Sequence, residues 1–536
     1  MSGLDWTQHL ILLPILLPLL AGAILIPVNE SRHGLKFAIN LACNLLLLVV
    51  ALVLFRLADQ EAWPGPMGVY LAANWMAPFG IALVADRLAA LMLLLTAVLS
   101  LSVLIFSVKG WSRIGVHFHS LFLFLLMGIN GAFLTHDLFN LFVFFEVMLA
   151  ASYGLVLHGY NVTRIRASLQ YIAINLVASL FFLIGIALIY ASAGTLNMAD
   201  LGPRVAAMAP ADLPLLQSGA LILALAFLTK GAMWPLGFWL PTTYAAASPP
   251  VAAMLVLMTK VGIYAIIRIW PLAFDSGPLA GFALEALFWG GLATLLFGSI
   301  GMLASQEAGR LAGYGAIVSS GVLMAIVGAR QTELLTVGFY YLLGSTLATA
   351  AFLLLAGLIE RIRTPGNALL ALTMEAFAIE EKPEEPVGVG IPAALAFLGL
   401  AFGGCALVIT GLPPLSGFVA KFSLFHTLLN GSAAMGWESW LFMALVLASG
   451  LAGIIALMRF GVRTFWASGA IQAPSLQRSE VGPVSLLLAL CVAMTIFANP
   501  LLGFLARVSQ DISQPSAYAQ RVLSTPAIPY PSGRQP

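Results

Sequence analysis

The chain has 536 residues, of which 61% are apolar and only 9% charged, 24 Lys+Arg against 22 Asp+Glu. Soluble domains carry about 25% charged residues, so a soluble globule of this size is excluded, and a mean hydropathy of +1.00 agrees. The net charge of +2 gives no electrostatic case for nucleic-acid binding.

No Lys or Arg precedes the first apolar run, only Asp5 and His9, and the run is long for a signal peptide. It reads as the first spanning helix. A span needs about 20 mainly apolar residues. That window predicts fourteen, near 9–28, 36–56, 80–108, 115–135, 138–158, 168–193, 216–240, 248–271, 280–303, 312–329, 335–358, 390–426, 438–464 and 483–506.

Spans 7 and 12 are interrupted. The first carries Lys230, Gly231, Pro235, Gly237 and Pro241, and the second Gly411, Pro413, Pro414, Gly417 and Lys421. Proline removes a backbone donor and clashes with the preceding turn, so both helices should break. Broken helices at membrane depth occur only inside protein or beside a water-filled cavity. Paired in two halves of a chain, they point to inverted repeats around a transport site. The offset of five spans inverts the second copy. The predicted fold is therefore an all-α polytopic membrane protein of about fourteen transmembrane helices, with inverted five-helix repeats (spans 4–8 and 9–13) and breaks in spans 7 and 12. The divisions fall at 1–110, 111–272 (first repeat), 273–465 (second repeat) and 466–536.

Alternate loops hold most of the cations, among them Arg32, Lys36, Arg113, Arg164, Arg310 and Arg459, against Arg56, Arg87, Arg204, Arg268 and Arg330 opposite. The positive-inside rule then places both termini outside. The loop near 359–389 is acidic (Glu375, Glu380, Glu381, Glu384, Glu385) and reads as a solvated loop or a contact surface. The tail after Arg507 has no apolar run and is read as packing on a neighbour.

Intramembrane ionisable residues are functional candidates. Four stand deep in spans: Glu146, Lys230, Lys260 and Lys421. Glu146, in LFNLFVFFEVMLAASYGLVL, is either half of a structural ion pair or a carboxylate that tunes a lysine. Low dielectric disfavours a buried ammonium and a nearby carboxylate restores it, so moving Glu146 relative to Lys230 would load or release a proton. With water between them, the four would form a polar line across spans 5, 7, 8 and 12. Asp137, His136, Tyr264 and Ser345 are accessory candidates, Asp137 also for the coupling cation. Asp86 with Arg87 and Glu285 read as structural or interfacial. The seven histidines lie near span ends, so none is an obvious relay. Cys43, Cys405 and Cys491 stand alone in apolar runs, and no metal, disulfide framework or cofactor is predicted. No phosphate loop, dinucleotide fingerprint or hydrolase elbow sits in a fitting context.

The stretch TKGAMWPLGFWLPTTYAAASPPVAAMLVLMTKVGIYAIIR (229–268) resembles the proton-conducting antiporter-like subunits shared by respiratory complex I, membrane-bound hydrogenases and Mrp-type cation/proton antiporters. GLPPLSGFVAKFSLF (411–425), NWMAPFGIALVADRLAALMLLL (74–95) and RLAGYGAIVSSG (310–321) resemble them too. The likeness runs from about 70 to 465. It implies that Glu146 is the family's span-5 glutamate paired with Lys230, that Lys260 is its span-8 lysine, and that Lys421 is the span-12 residue at the exit half-channel. Lysine at 421, an end soon after span 14 and the tail PSAYAQRVL (515–523) are most similar to the D-type members of Mrp antiporters. The implied function is a non-enzymatic, proton-translocating component of a Na⁺(K⁺)/H⁺ antiporter in the bacterial inner membrane, assembled with the A, B, C, E, F and G components. A proton-pumping arm of a redox complex and a non-conducting scaffold are the competing readings. The chain departs from the family at Gly237 and Gly344, where histidines are expected, and at Gly309, where a lysine is usual. Two outcomes are open at Gly344: ordered water in place of the histidine, or looser coupling of the two half-channels.

Overall fold

A computed structural model describes residues 5–63, 67–108, 110–159, 161–274, 277–360, 392–430, 436–465 and 476–527. The acidic loop with Glu375, Glu380, Glu381, Glu384 and Glu385 lies outside the described residues.

A short helix, α1 (Asp5–His9), leads into α2 (Leu13–Leu25), α3 (His33–Asp59), α4 (Arg87–Ser107), α5 (Phe118–Leu134), α6 (Leu138–Leu157) and α7 (Val162–Ala193). After the short α8 (Met198–Ala206), span 7 is built from α9 (Leu213–Lys230) and α10 (Trp239–Ala246). Then follow α11 (Pro249–Phe274), α12 (Leu284–Ala304), α13 (Ala308–Gly328) and α14 (Thr332–Ile359). Span 12 is α15 (Ala393–Thr410) with α16 (Ser416–Asn430), and α17 (Trp437–Phe465) and α18 (Arg478–Ile496) complete the set. Among the described residues, twelve helices are long and apolar enough to cross a membrane, and the shorter α2 and α5 fill the two remaining predicted places. The chain is a multi-pass membrane protein.

Local chemistry places the helix ends. Asp86 accepts from the Ala89 N–H at 2.9 Å, Asp137 from Asn140 N–H at 2.8 Å and Asn161 from Arg164 N–H at 2.8 Å; each caps a helix start. Gly194 ends α7 in the left-handed conformation. Both predicted breaks are present. Gly411 (φ 77°) follows α15, and a β-carbon there would lie 2.5 Å from Lys421 Cδ, so only glycine lets that side chain fold back across the break.

Three expectations are corrected. Residues 80–85 do not begin span 3: β2 (Ala82–Ala85) pairs antiparallel with β1 (Gly68–Leu71), Gly68 opposite Ala85, so a small hairpin interrupts the otherwise helical fold and Asp86 starts the helix. Span 14 stops at Ile496, because Pro500 has no N–H for the Ile496 carbonyl and its ring crowds that turn. The chain restarts as α19 (Ala498–Ile512) and α20 (Pro515–Ser524). The tail packs on its own chain rather than standing free for a neighbour: Tyr518, Ala519 and Val522 are buried with Val69, Val84 and Ala199.

α11 is buried along its whole apolar stretch and α14 along nearly all of it, whereas little more than a third of α3 or α7 is. The outer helices present Leu46, Val49, Leu176 and Leu180 to the surroundings, as lipid contact requires. The two central helices carry or adjoin the ionisable residues. Both ends of the described chain lie on one face: Trp63 donates to Thr7, Leu83 bridges Thr135 and Asp137 bridges Asn197, and α20 packs on α8 and α11.

Candidate functional site

The break in span 7 puts Lys230 on the last residue of α9, where the helix dipole favours a cation. Its ammonium is buried and donates to Asn175 Oδ1 on α7 at 3.0 Å. Glu146 on α6 is half-buried and within electrostatic reach of Lys230, with Oε1 buried and lacking a hydrogen-bond partner. No Glu146–Lys230 ion pair exists among the described residues, so the expected direct pairing is replaced by an amide contact with the carboxylate standing off. α11 lies against the break: a β-carbon at Gly262 would be 2.7 Å from the Phe227 carbonyl oxygen and 3.0 Å from Lys230 Cβ. Lys260, two residues earlier on the same helix, projects from a different face.

Lys260 is buried and donates to Ser319 Oγ on α13 at 2.8 Å. Ser319 in turn donates to Ser345 Oγ on α14 at 2.9 Å. Both serines line a cavity that also receives Tyr341, Gly344, Ser416 and Lys421. The cavity has a volume of about 30 Å³, room for roughly two or three waters. On its far side Lys421 donates to the Thr410 carbonyl at 2.6 Å. Thr410 is the last residue of α15, so its carbonyl is one that a helix end leaves without an intrahelical partner. Lysine, hydroxyl, hydroxyl, cavity and lysine thus run from span 8 to span 12.

The accessory candidates divide. Ser345 belongs to this line. Asp137 is the N-cap of α6, and burial raises its carboxyl above the usual range. His136 and Tyr264 sit in a separate cluster at the face holding the termini. There Arg268 makes a two-pronged bond to Asp86, at 2.6 and 2.8 Å. Tyr264 receives from Arg268 at 3.1 Å and donates to the Phe133 carbonyl at 2.6 Å. Tyr518 covers the group, 3.2 Å from His136 Nδ1. Burial and then Arg268 push the His136 imidazole down to about 3, which favours its neutral form. The adjacent Asp86 and Arg87 are structural but not a pair: Arg87 bonds Asp511 and Glu61 instead. Glu285 is exposed in the first turn of α12.

The family model described as NADH:quinone oxidoreductase/Mrp antiporter, transmembrane, matches residues 135–452, which is where these lysines and serines lie. The chain belongs to that family. It is 50% identical over 533 residues, 97% of this chain and 99% of the relative, to a Rhizobium meliloti protein named as the probable D subunit of a K⁺/H⁺ antiporter. It is 34% identical, over 96% and 99%, to the D subunit of the Na⁺/H⁺ antiporter of Alkalihalophilus pseudofirmus. A chain of the Mrp complex from Dietzia sp. superposes with a TM-score of 0.81 at 25% identity, covering 98% of this chain and all of that one.

The departures from the family's residues have local causes. At Gly237 a β-carbon would lie 2.3 Å from the Ala232 carbonyl oxygen, and at Gly309 2.5 Å from Ala245 Cα, so neither backbone admits a side chain. Gly344 is different. Its nearest neighbour would be Ser416 Oγ at 3.4 Å, and the space is continuous with the cavity. Sequence reasoning missed Asn175, Ser319 and the Asp86–Arg268 pair. An amide deep in the apolar run of span 6 was the available signal for Asn175.

Proposed function

We propose that this chain is the proton-translocating subunit of a multisubunit monovalent cation/H⁺ antiporter, and that protons pass along Glu146, Lys230, Lys260, Ser319, Ser345, cavity water and Lys421. The observation that carries the reading is the hydrogen-bonded run from Lys260 through Ser319 to Ser345, which opens on the cavity that Lys421 also lines. Each lysine has a neutral partner, Asn175, Ser319 or the Thr410 carbonyl. None is locked by a carboxylate among the described residues, so each can give up its proton without breaking an ion pair. Hydroxyls both donate and accept, so the serine pair can pass a proton in the role expected of a histidine at Gly344. Two relatives named as D subunits of antiporters, matched over nearly their full length, favour antiport over a redox-driven pump. The site acts by moving protons, as a transporter subunit rather than an enzyme.

The chain works as one member of an Mrp-type hetero-oligomer in the bacterial inner membrane, with both termini outside and its two five-helix repeats inverted about the central lysines. The orientation is supported by the excess of Lys and Arg in the loops on the face opposite the termini. Lys230→Ala is the test: it should abolish cation-driven proton movement in membrane vesicles while the complex still assembles, and undiminished antiport would reject the route. A purified complex that carries redox centres would reject the antiporter assignment.

A further inference from the structure

A second buried polar thread runs through α3, α4 and α5, away from the lysine line. At the face opposite the termini, Lys36 pairs with Glu30 at 2.8 Å, and Glu30 also receives the His117 N–H at 3.1 Å. One turn further along α3, Asn40 Nδ2 meets His119 Nδ1 at 3.0 Å. Asn44 donates to Asn40 Oδ1 at 2.8 Å, and Ser100 on α4 donates to Asn44 Oδ1 at 2.7 Å. Asn40, Asn44 and Ser100 are fully buried. The thread ends in a small cavity of about 10 Å³ lined by Ser100, Thr96, Asn130 and Pro14 among apolar residues, room for about one water or ion.

The donors and acceptors around this cavity are lopsided. Ser100 commits its proton to Asn44 Oδ1 or to the Ala97 carbonyl, and Thr96 commits its own to the Met92 carbonyl at 2.7 Å. Both oxygens retain lone pairs. Asn130 Nδ2 donates to the Pro14 carbonyl at 3.0 Å, which is free because Pro18, one turn on, has no N–H. That contact explains the amide nitrogen of Asn130 but not its oxygen: Oδ1 is buried without a partner. Three side-chain oxygens with lone pairs therefore belong to residues lining one small space; no titratable residue lines it, both hydroxyl protons are committed elsewhere, and one N–H of the Asn130 amide is already used on Pro14. Hard oxygen dipoles in that arrangement suit a desolvated monovalent cation. The thread behind it is no proton wire, since its amides hold their protons.

We propose that this cavity is a binding site for the coupling cation, Na⁺ or K⁺, with Asn130 Oδ1, Ser100 Oγ and Thr96 Oγ1 as ligands, separate from the proton route. The proposal rests on the antiporter reading only for the identity of the ion. Equilibrium binding of ²²Na⁺ and ⁸⁶Rb⁺ to the purified complex tests it without requiring transport. Thr96→Val, which keeps the shape, and Ser100→Ala should each weaken binding of one ion per complex roughly tenfold or more. Asn130→Leu should remove that ion, and Asn130→Asp, which adds a charge to the same shape, should tighten it. Binding unchanged in Thr96→Val, Ser100→Ala and Asn130→Asp alike would overturn the proposal and leave the cavity as the seat of a structural water. Loss of proton movement in Lys230→Ala is a separate outcome and bears on the proton route alone.

Discussion

Ser319 is the narrowest point of the proton route, because the Lys260 ammonium has it as its hydrogen-bond partner. A hydrogen bond from a charged group is worth about 1.5–3 kcal/mol, and each 1.36 kcal/mol is tenfold in rate. Removing it with nothing in exchange should slow transfer through Lys260 by roughly 10–150-fold. The adjoining cavity changes the expectation for different substitutions. Ser319→Ala clears space for about one more water next to the cavity, and that water can reach Lys260, so the loss should stay near the lower end, about tenfold. Ser319→Val fills the space with methyl groups and should give the full loss, on the order of a hundredfold. Cation-dependent collapse of a pH gradient in everted vesicles, followed by acridine orange fluorescence and normalised to assembled complex, measures both. Wild-type rates in Ser319→Val would refute the hydroxyl route.

Further outcomes follow from the same geometry. Gly344→Ala adds a β-carbon at 3.4 Å from Ser416 Oγ and should leave transport within a few-fold of wild type, whereas Gly344→Leu occludes the cavity and should stop proton flux in the same vesicle assay without disrupting assembly. Asp86→Ala strands Arg268 in a buried site and should cost about 3–5 kcal/mol, read as a lowered melting temperature of the purified complex; replacing both residues with leucine should be milder. Burial pushes the Asp86 carboxyl up, but Arg268 beside it outweighs this and holds it below the usual range. Its contribution is therefore full above the ordinary aspartate value and is lost as pH falls through the lowered one. Wild-type complex should lose thermal stability on acidification more steeply than the double leucine variant, and parallel pH profiles would contradict that assignment.

Much of the site is legible in the sequence because charge is so scarce in this chain. A lysine in the middle of an apolar run stands out at any depth, and the prolines and glycines of spans 7 and 12 mark their own helix breaks. Neutral polar residues give no such contrast. Asn175 and Ser319 sit in runs hydrophobic enough to absorb them, and although Ser345 is a candidate from the sequence, only the packing of α7 on α9 and of α13 against α14 shows what the three touch. The Asp86–Arg268 pair joins positions 182 residues apart, beyond any local pattern. Glu146 stands farther from Lys230 than a direct pairing requires, since no sequence feature says that Asn175 takes the ammonium first. The tail looks featureless in sequence because its two helices are short and amphipathic, and a 20-residue window averages such helices away.

The central claim is that buried lysines joined by hydroxyls and water carry the proton. Purified complex reconstituted in proteoliposomes, with Lys260 replaced by Met, tests it most directly. Met keeps the unbranched shape of the side chain but can neither hold a proton nor donate to Ser319. Proton flux driven by a cation gradient should fall to the background of empty liposomes while subunit composition and melting temperature stay near wild type. Flux at the wild-type rate in that variant would contradict the account.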